Sequence, residues 1–155
     1  MGQTTFSGPV RSERGFTAAG SSAVVDITAE TTLTYADHVG RIIEVNDADG
    51  AVTLPTITSD TIGAKYVFFI GTTASDLDIK TDGTDKYVGN LAVGSGTNTR
   101  TFAPGATNDV ISMNGTTSGG IAGSYLEVTA IATAQYLVSG NLVGSGTIVT
   151  PFADA

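Results

Sequence analysis

Cysteine and tryptophan are absent from this 155-residue chain, and histidine occurs once, as His38. Without cysteine there is no thiolate nucleophile, no disulfide framework and no sulfur-ligated zinc site. A single histidine leaves one candidate base for a catalytic triad, and no Gly-x-Ser-x-Gly or similar nucleophile signature accompanies it. His38 therefore reads as a turn histidine satisfied by backbone. With no tryptophan and only five tyrosines, a sugar-stacking cleft has little material. Phosphate-binding loops are missing too: Gly94-Ser95-Gly96 lacks the third glycine of a dinucleotide fingerprint, and no Gly-Lys-Ser/Thr follows a glycine-rich run.

Positive charge is equally scarce, with seven Lys and Arg against fifteen Asp and Glu and a formal net charge of −8. The distribution is uneven. Residues 1–20 hold Arg11 and Arg14 against Glu13, whereas the remainder carries fourteen acids against Arg41, Lys65, Lys80, Lys86 and Arg100. So acidic a body repels nucleic acid and anionic membrane surfaces within a Debye length, which argues against both as partners. The N-terminus has no basic segment followed by an apolar one, so no secretory signal is expected and synthesis in a cytoplasm is. Residues 128–153 contain no charge, but Gln135, Ser139, Gly140, Asn141, Gly144, Ser145 and Gly146 interrupt them too often for a membrane span. They read as buried β-structure, shielded inside a sandwich or a subunit interface.

What is abundant is threonine, 25 residues, with 20 glycines. Apolar residues fall mainly in short β-branched or aromatic runs bounded by turn residues, which is the pattern of an all-β protein. Strands are predicted at Ala23–Thr28, Arg41–Asn46, Ala51–Leu54, Lys65–Ile70, Leu77–Lys80, Asp109–Met113, Tyr125–Ile131, Tyr136–Ser139 and Thr147–Thr150. Asp49-Gly50, Asp82-Gly83, Asn114-Gly115 and Gly119-Gly120 supply turns. One helical turn is predicted at Tyr35–Val39, closed by Gly40. The expectation is a single β-sandwich or jelly-roll-like body, residues 21–155, preceded by an extended N-terminal arm, residues 1–20, with no periodicity of its own. An internal echo, Tyr87-Val88-Gly89-Asn90-Leu91 and Tyr136-Leu137-Val138-Ser139-Gly140-Asn141-Leu142, suggests a kinked strand used twice, in facing sheets. The acids Asp76, Asp78, Asp82 and Asp85 fail as an EF-hand, because Lys80 and Gly89 stand where ligands belong. An irregular cation site from Asp76, Asp82 and Asp85 and a solvated loop tip both stay open.

The segments Asp37-His38-Val39-Gly40-Arg41-Ile42-Ile43-Glu44-Val45, Ala51-Val52-Thr53-Leu54-Pro55 and Asp109-Val110-Ile111-Ser112-Met113-Asn114-Gly115-Thr116-Thr117 resemble tailed-bacteriophage virion structural proteins of the head-decoration, or capsid cement, type. So do Phe6-Ser7-Gly8-Pro9-Val10-Arg11 and Thr150-Pro151-Phe152. The resemblance implies a non-enzymatic protein without cofactor or metal, often a homotrimer. It implies residence on the outer capsid surface of the virion, after synthesis in the bacterial host cytoplasm, with the phage major capsid protein as partner. In that setting the arm is the expected anchor. Phe6, Val10 and Phe16 would fill apolar grooves, Arg11 and Arg14 would meet acidic capsid residues, and Pro9 would set a bend. The alternative is a trimeric head-fibre or receptor-binding adhesin whose loops at Asp76–Asp85 or Asn114–Gly123 contact the host surface. A polysaccharide depolymerase is a third and weaker reading.

Overall fold

A computed structural model describes residues 20–155, and the arm residues Phe6, Pro9, Val10, Arg11, Arg14 and Phe16 lie outside them. The described chain is all-β, in keeping with its composition, with thirteen strands in two sheets, one short α-helix, α1 (Tyr35–His38), and two 3-10 turns, Ser21–Ala23 and Ser59–Thr61. The larger sheet contains β1 (Val24–Ile27), β3 (Ile42–Val45), β5 (Lys65–Ile70), β11 (Tyr125–Ala132), β12 (Gln135–Val143), β8 (Leu91–Ser95) and β9 (Asn98–Phe102) in that spatial order. β7 (Lys86–Gly89) also pairs with β12. The smaller sheet runs β13 (Phe152–Ala153), β10 (Val110–Met113), β6 (Asp76–Lys80), β4 (Asp49–Thr53), β2 (Thr31–Thr32).

From β1 to β6 the chain switches sheet at every strand, so β1, β3 and β5 are parallel neighbours in one sheet and β2, β4 and β6 in the other. Parallel strands need a long crossover, usually a helix. Here the intervening strand of the opposite sheet serves instead, and the first half is a flattened coil. A jelly roll, by contrast, is built from antiparallel strands. The two sheets close on one core. Tyr66, Phe68, Leu126, Val128, Tyr136 and Val138 point inward from the larger sheet, Val52, Leu77, Ile79, Ile111 and Phe152 from the smaller, all buried.

The internal echo pairs with itself, but within one sheet rather than across two. β7 and β8 follow one another end to end along β12, with Tyr87 opposite Tyr136 and Val93 opposite Leu142. At Gly140 of β12 an added Cβ would stand 2.5 Å from the Tyr125 carbonyl oxygen, so no other residue fits. Thr147–Thr150 is not a strand; it runs into Pro151, and β13 follows. Pro151 has no amide hydrogen to give a ladder, although its carbonyl accepts from the Ser112 amide at 2.8 Å. α1 starts at Thr34, whose hydroxyl accepts from the Asp37 amide at 3.2 Å, and stops before Gly40 at φ 75°.

Three tyrosines are buried in the core, Tyr66, Tyr87 and Tyr136. Tyr87 donates to the Ile79 carbonyl at 3.0 Å and Tyr136 to the Pro55 carbonyl at 2.6 Å, while the Tyr66 hydroxyl has no partner among the described residues. Burial pushes the Tyr66 hydroxyl up to about 12, helped by nearby Tyr35, and raises Tyr87 and Tyr136 as well. Their protons are therefore held more tightly folded than unfolded. Stability should hold up to about pH 10 and fall as pH climbs through the window from there to about 12 and above. Thermal melts across that range, read beside tyrosinate absorbance, should show these rings ionising only with unfolding. Early ionisation without unfolding would contradict their burial.

Candidate functional site

The outward side chains of the two sheets differ in kind. On the smaller sheet the outward face presents the exposed Asp49 beside Asp76, then half-buried Asp78 between Ala51 and Ser112, its Oδ1 without a partner among the described residues, with Lys80 and Thr53 next. On the larger sheet it presents Val24, Ile42 and Val67 in one row across β1, β3 and β5, and Phe69 and Tyr125 in the next row. Val24 is 40% exposed, Ile42 47%, Phe69 39% and Tyr125 50%, values a monomeric sheet face seldom gives four neighbouring large apolar residues. With Val67, Phe68 and Glu44 they line a groove of 390 Å³.

The local sequence explains this face. Lys65–Ile70 is Lys-Tyr-Val-Phe-Phe-Ile, apolar at both alternations: Tyr66, Phe68 and Ile70 go to the core, Val67 and Phe69 to the groove. A strand apolar on both sides is normally covered on both. The groove's borders are charged. Lys65 and Glu127 pair at 2.6 Å in solvent, Glu44 lines the wall, and Asp26 is held by the Asn46 amide at 2.9 Å. The chain reaches this face at the short turn Ser21–Ala23, directly before Val24. The described chain thus begins four residues before Val24, which lines the groove.

Two acids of the cluster, Asp82 and Asp85, are used internally. The Asp82 carboxylate accepts from the Thr56 hydroxyl at 2.6 Å, the Thr84 amide and hydroxyl at 2.9 and 2.8 Å, and the Asp85 amide at 3.1 Å. Burial alone would push it up, but those hydrogen bonds outweigh burial and hold it at about 2. Asp85 accepts from the Ile57 amide at 2.9 Å and is shifted upward, chiefly by burial. Together the two acids tie the β6–β7 turn to the segment after β4. No group of three or more His, Asp or Glu suited to a metal ion occurs among the described residues. His38 is engaged locally: its Nδ1 accepts from the Thr34 amide at 3.0 Å. The Asn114–Gly123 loop is tied down as well. Asn114 Oδ1 accepts from the amides of Thr116, Thr117 and Ser118, and a Cβ at Gly120 would collide with Met113 and Ala74.

One ion pair, buried on its carboxylate side only, holds Ala155 in place. Lys86 Nζ lies 2.5 Å from Asp109 Oδ2 and donates to the Gly83 carbonyl at 2.7 Å, while Asp109 Oδ1 accepts from the Ala155 amide at 2.9 Å. Burial raises the Asp109 carboxyl, yet the Lys86 and Ala155 hydrogen bonds and the Lys86 charge outweigh it and bring it below the usual range. Its contribution is therefore present above the ordinary carboxylate value near 3.8 and is lost as pH falls through the depressed one. Lys86→Met should cost about 1–3 kcal/mol, because it strands a buried carboxylate. Urea denaturation should show the loss at neutral pH and little of it in acid; an equal loss at both would rule out the ion pair as its source.

No family model, curated protein or solved structure matches the chain. The apolar face and the Lys86–Asp109 pair were not singled out from the sequence. The first had a readable signal in the unbroken apolar run of β5; the second joins residues 23 positions apart and had none.

Proposed function

We propose that the protein is a non-enzymatic virion structural protein that binds the outer surface of a tailed-phage capsid as a decoration, or cement, protein and stabilises contacts between capsomers. The observation that carries the reading is the shared position of the apolar groove and the start of the described chain: Val24 lines the groove and follows the arm within four residues of Gly20. Arm and groove then address one partner from one side of the body. The occupant of the groove is the major capsid protein, presenting apolar side chains to Ile42, Phe69 and Tyr125. The arm adds Phe6, Val10 and Phe16 as anchors and Arg11 and Arg14 as donors. The acidic face of the smaller sheet points to solvent, where like charge between particles discourages clumping. Each contact can be weak, because the capsid lattice repeats it.

Arg11→Ala combined with Arg14→Ala tests the arm. Attachment to phage heads lacking the protein should weaken roughly tenfold at low salt, and the difference should shrink as salt is added, with the melting temperature unchanged. Unchanged affinity would remove the arm from the account.

A further inference from the structure

The hairpin of β8 and β9 places an arginine where its register calls for a core residue. Arg100 lies opposite Val93 and Phe102 opposite Leu91, and both Val93 and Leu91 are buried in the core. Arg100 nevertheless reaches solvent, with its guanidinium over the Phe102 ring, 5.5 Å from the centroid. Long cationic side chains do this by laying the stem on apolar surface and keeping the head wet. No acid answers that head: among the described residues the ion pairs are Lys65 with Glu127 and Lys86 with Asp109.

The chain around it is neutral. Across residues 87–108, 110–126 and 128–153 Arg100 is the sole charged residue. It lines a cleft of 340 Å³ together with Asn98, Thr99, Gly146, Thr147 and Ile148. The amide of Asn98 and the hydroxyls of Thr99 and Thr147 hold no hydrogen bond with the described residues, whereas Asp82, Asn108 and Asn114 are consumed by their own loops. The far wall is fixed in advance. The Gly144 amide donates to the Gly94 carbonyl at 2.7 Å, the Ser145 and Gly146 amides to Thr116 at 3.0 and 3.2 Å, and the Val149 amide to Thr117 at 3.0 Å. A cleft with such walls needs little ordering when a ligand enters.

We infer that this cleft binds a carboxylated sugar residue. The planar guanidinium presents two parallel N–H donors that match one carboxylate, and Asn98, Thr99 and Thr147 offer donors and acceptors to ring hydroxyls. A phosphate group is better served by a second cation or a helix N-terminus, and neither lines the cleft. A plain carboxylate would leave the amide and the two hydroxyls unanswered. The volume is at the small end of ligand clefts, roughly 300–1,000 Å³, which suits one or two sugar rings. Recognition here is by hydrogen bonds to the carboxylate and the hydroxyls, so it needs no tryptophan platform. The inference does not depend on the capsid assignment.

Amide NMR titrations of the full-length protein with glucuronate, galacturonate and N-acetylneuraminate, against glucose, acetate and sulfate at equal ionic strength, test the site. At least one acidic sugar should shift the amides of residues 98–101 and 146–148 saturably, with a dissociation constant on the order of 1 mM. It should bind roughly tenfold tighter than glucose, acetate or sulfate. Arg100→Gln, which keeps the stem over Phe102, should abolish that response with the melting temperature little changed, and Arg100→Lys should weaken it roughly tenfold for want of the fork. Thr147→Val, of equal size and without the hydroxyl, should weaken the acidic sugar and leave acetate as it was. Absence of saturable shifts with all three sugars, or acetate or sulfate bound as tightly, would overturn the proposal. So would an Arg100→Gln protein that melts lower yet binds like the parent, since the arginine would then only pack the hairpin.

Discussion

Val128→Asp should yield no folded protein. Val128 is fully buried at the middle of β11, with Val138 opposite on one side and Tyr66 on the other. A carboxylate there has no cation within the core, and its burial plus the lost apolar contacts costs more than about 5 kcal/mol, comparable with the whole stability of a domain of this size. Leu126→Asp, opposite Phe68 and Gly140, should behave alike. Val128→Ala is the control: it should fold and lose about 2 kcal/mol, because it opens a cavity without burying charge. Solubility, circular dichroism and denaturant titration read all three. A soluble, cooperatively unfolding Val128→Asp protein would mean that β11 does not hold the centre of the larger sheet.

The second large effect is on attachment. Ile42→Asp combined with Phe69→Asp places two carboxylates in the groove, at positions 47% and 39% exposed, so folding should be disturbed by less than about 1 kcal/mol. Against an apolar capsid surface each charge removes a contact worth about 2 kcal/mol, and the pair should weaken binding by roughly a thousandfold. Asp49→Ala with Asp76→Ala, on the opposite face, should leave binding within about twofold, since outward acids make no contact. Equal losses from both faces would mean that the body does not dock by the larger sheet.

Much of the fold was legible in the chain because β-branched runs between turn residues admit few alternatives. Lys65–Ile70 is a strand at the predicted bounds, and β1, β3, β4, β6, β10 and β11 lie within three residues of theirs. The helical turn at Tyr35 was equally readable from its following glycine. Pairing was not legible: side-chain alternation sets which face a residue occupies, not which strand lies beside it. Hence the echo at Tyr87 and Tyr136 was visible as similarity, while its placement on adjacent parallel strands came from the ladder. β9 escaped notice because Asn98–Phe102 has no apolar face, being held by its hairpin with β8 rather than by burial. The acids around Asp82 looked available to a cation because sequence does not display their donors, the Thr56 hydroxyl and the Ile57 amide. Their partners at Thr56 and Ile57 lie 26 and 28 residues away. The unbroken apolar run of β5 signals a strand apolar on both faces but not which face is open, since Phe69 reads as core until Phe68 is seen to be the one that is buried.

The most direct test of the account is the number of copies that full-length protein places on phage heads stripped of it, measured by co-sedimentation and quantitative mass analysis of the washed heads. A cement protein should bind saturably at many copies per head, follow the capsomer lattice, and lose that binding when residues 1–20 are removed. Absence of binding, or a few copies at a single vertex, would contradict it and point to the fibre or adhesin alternative.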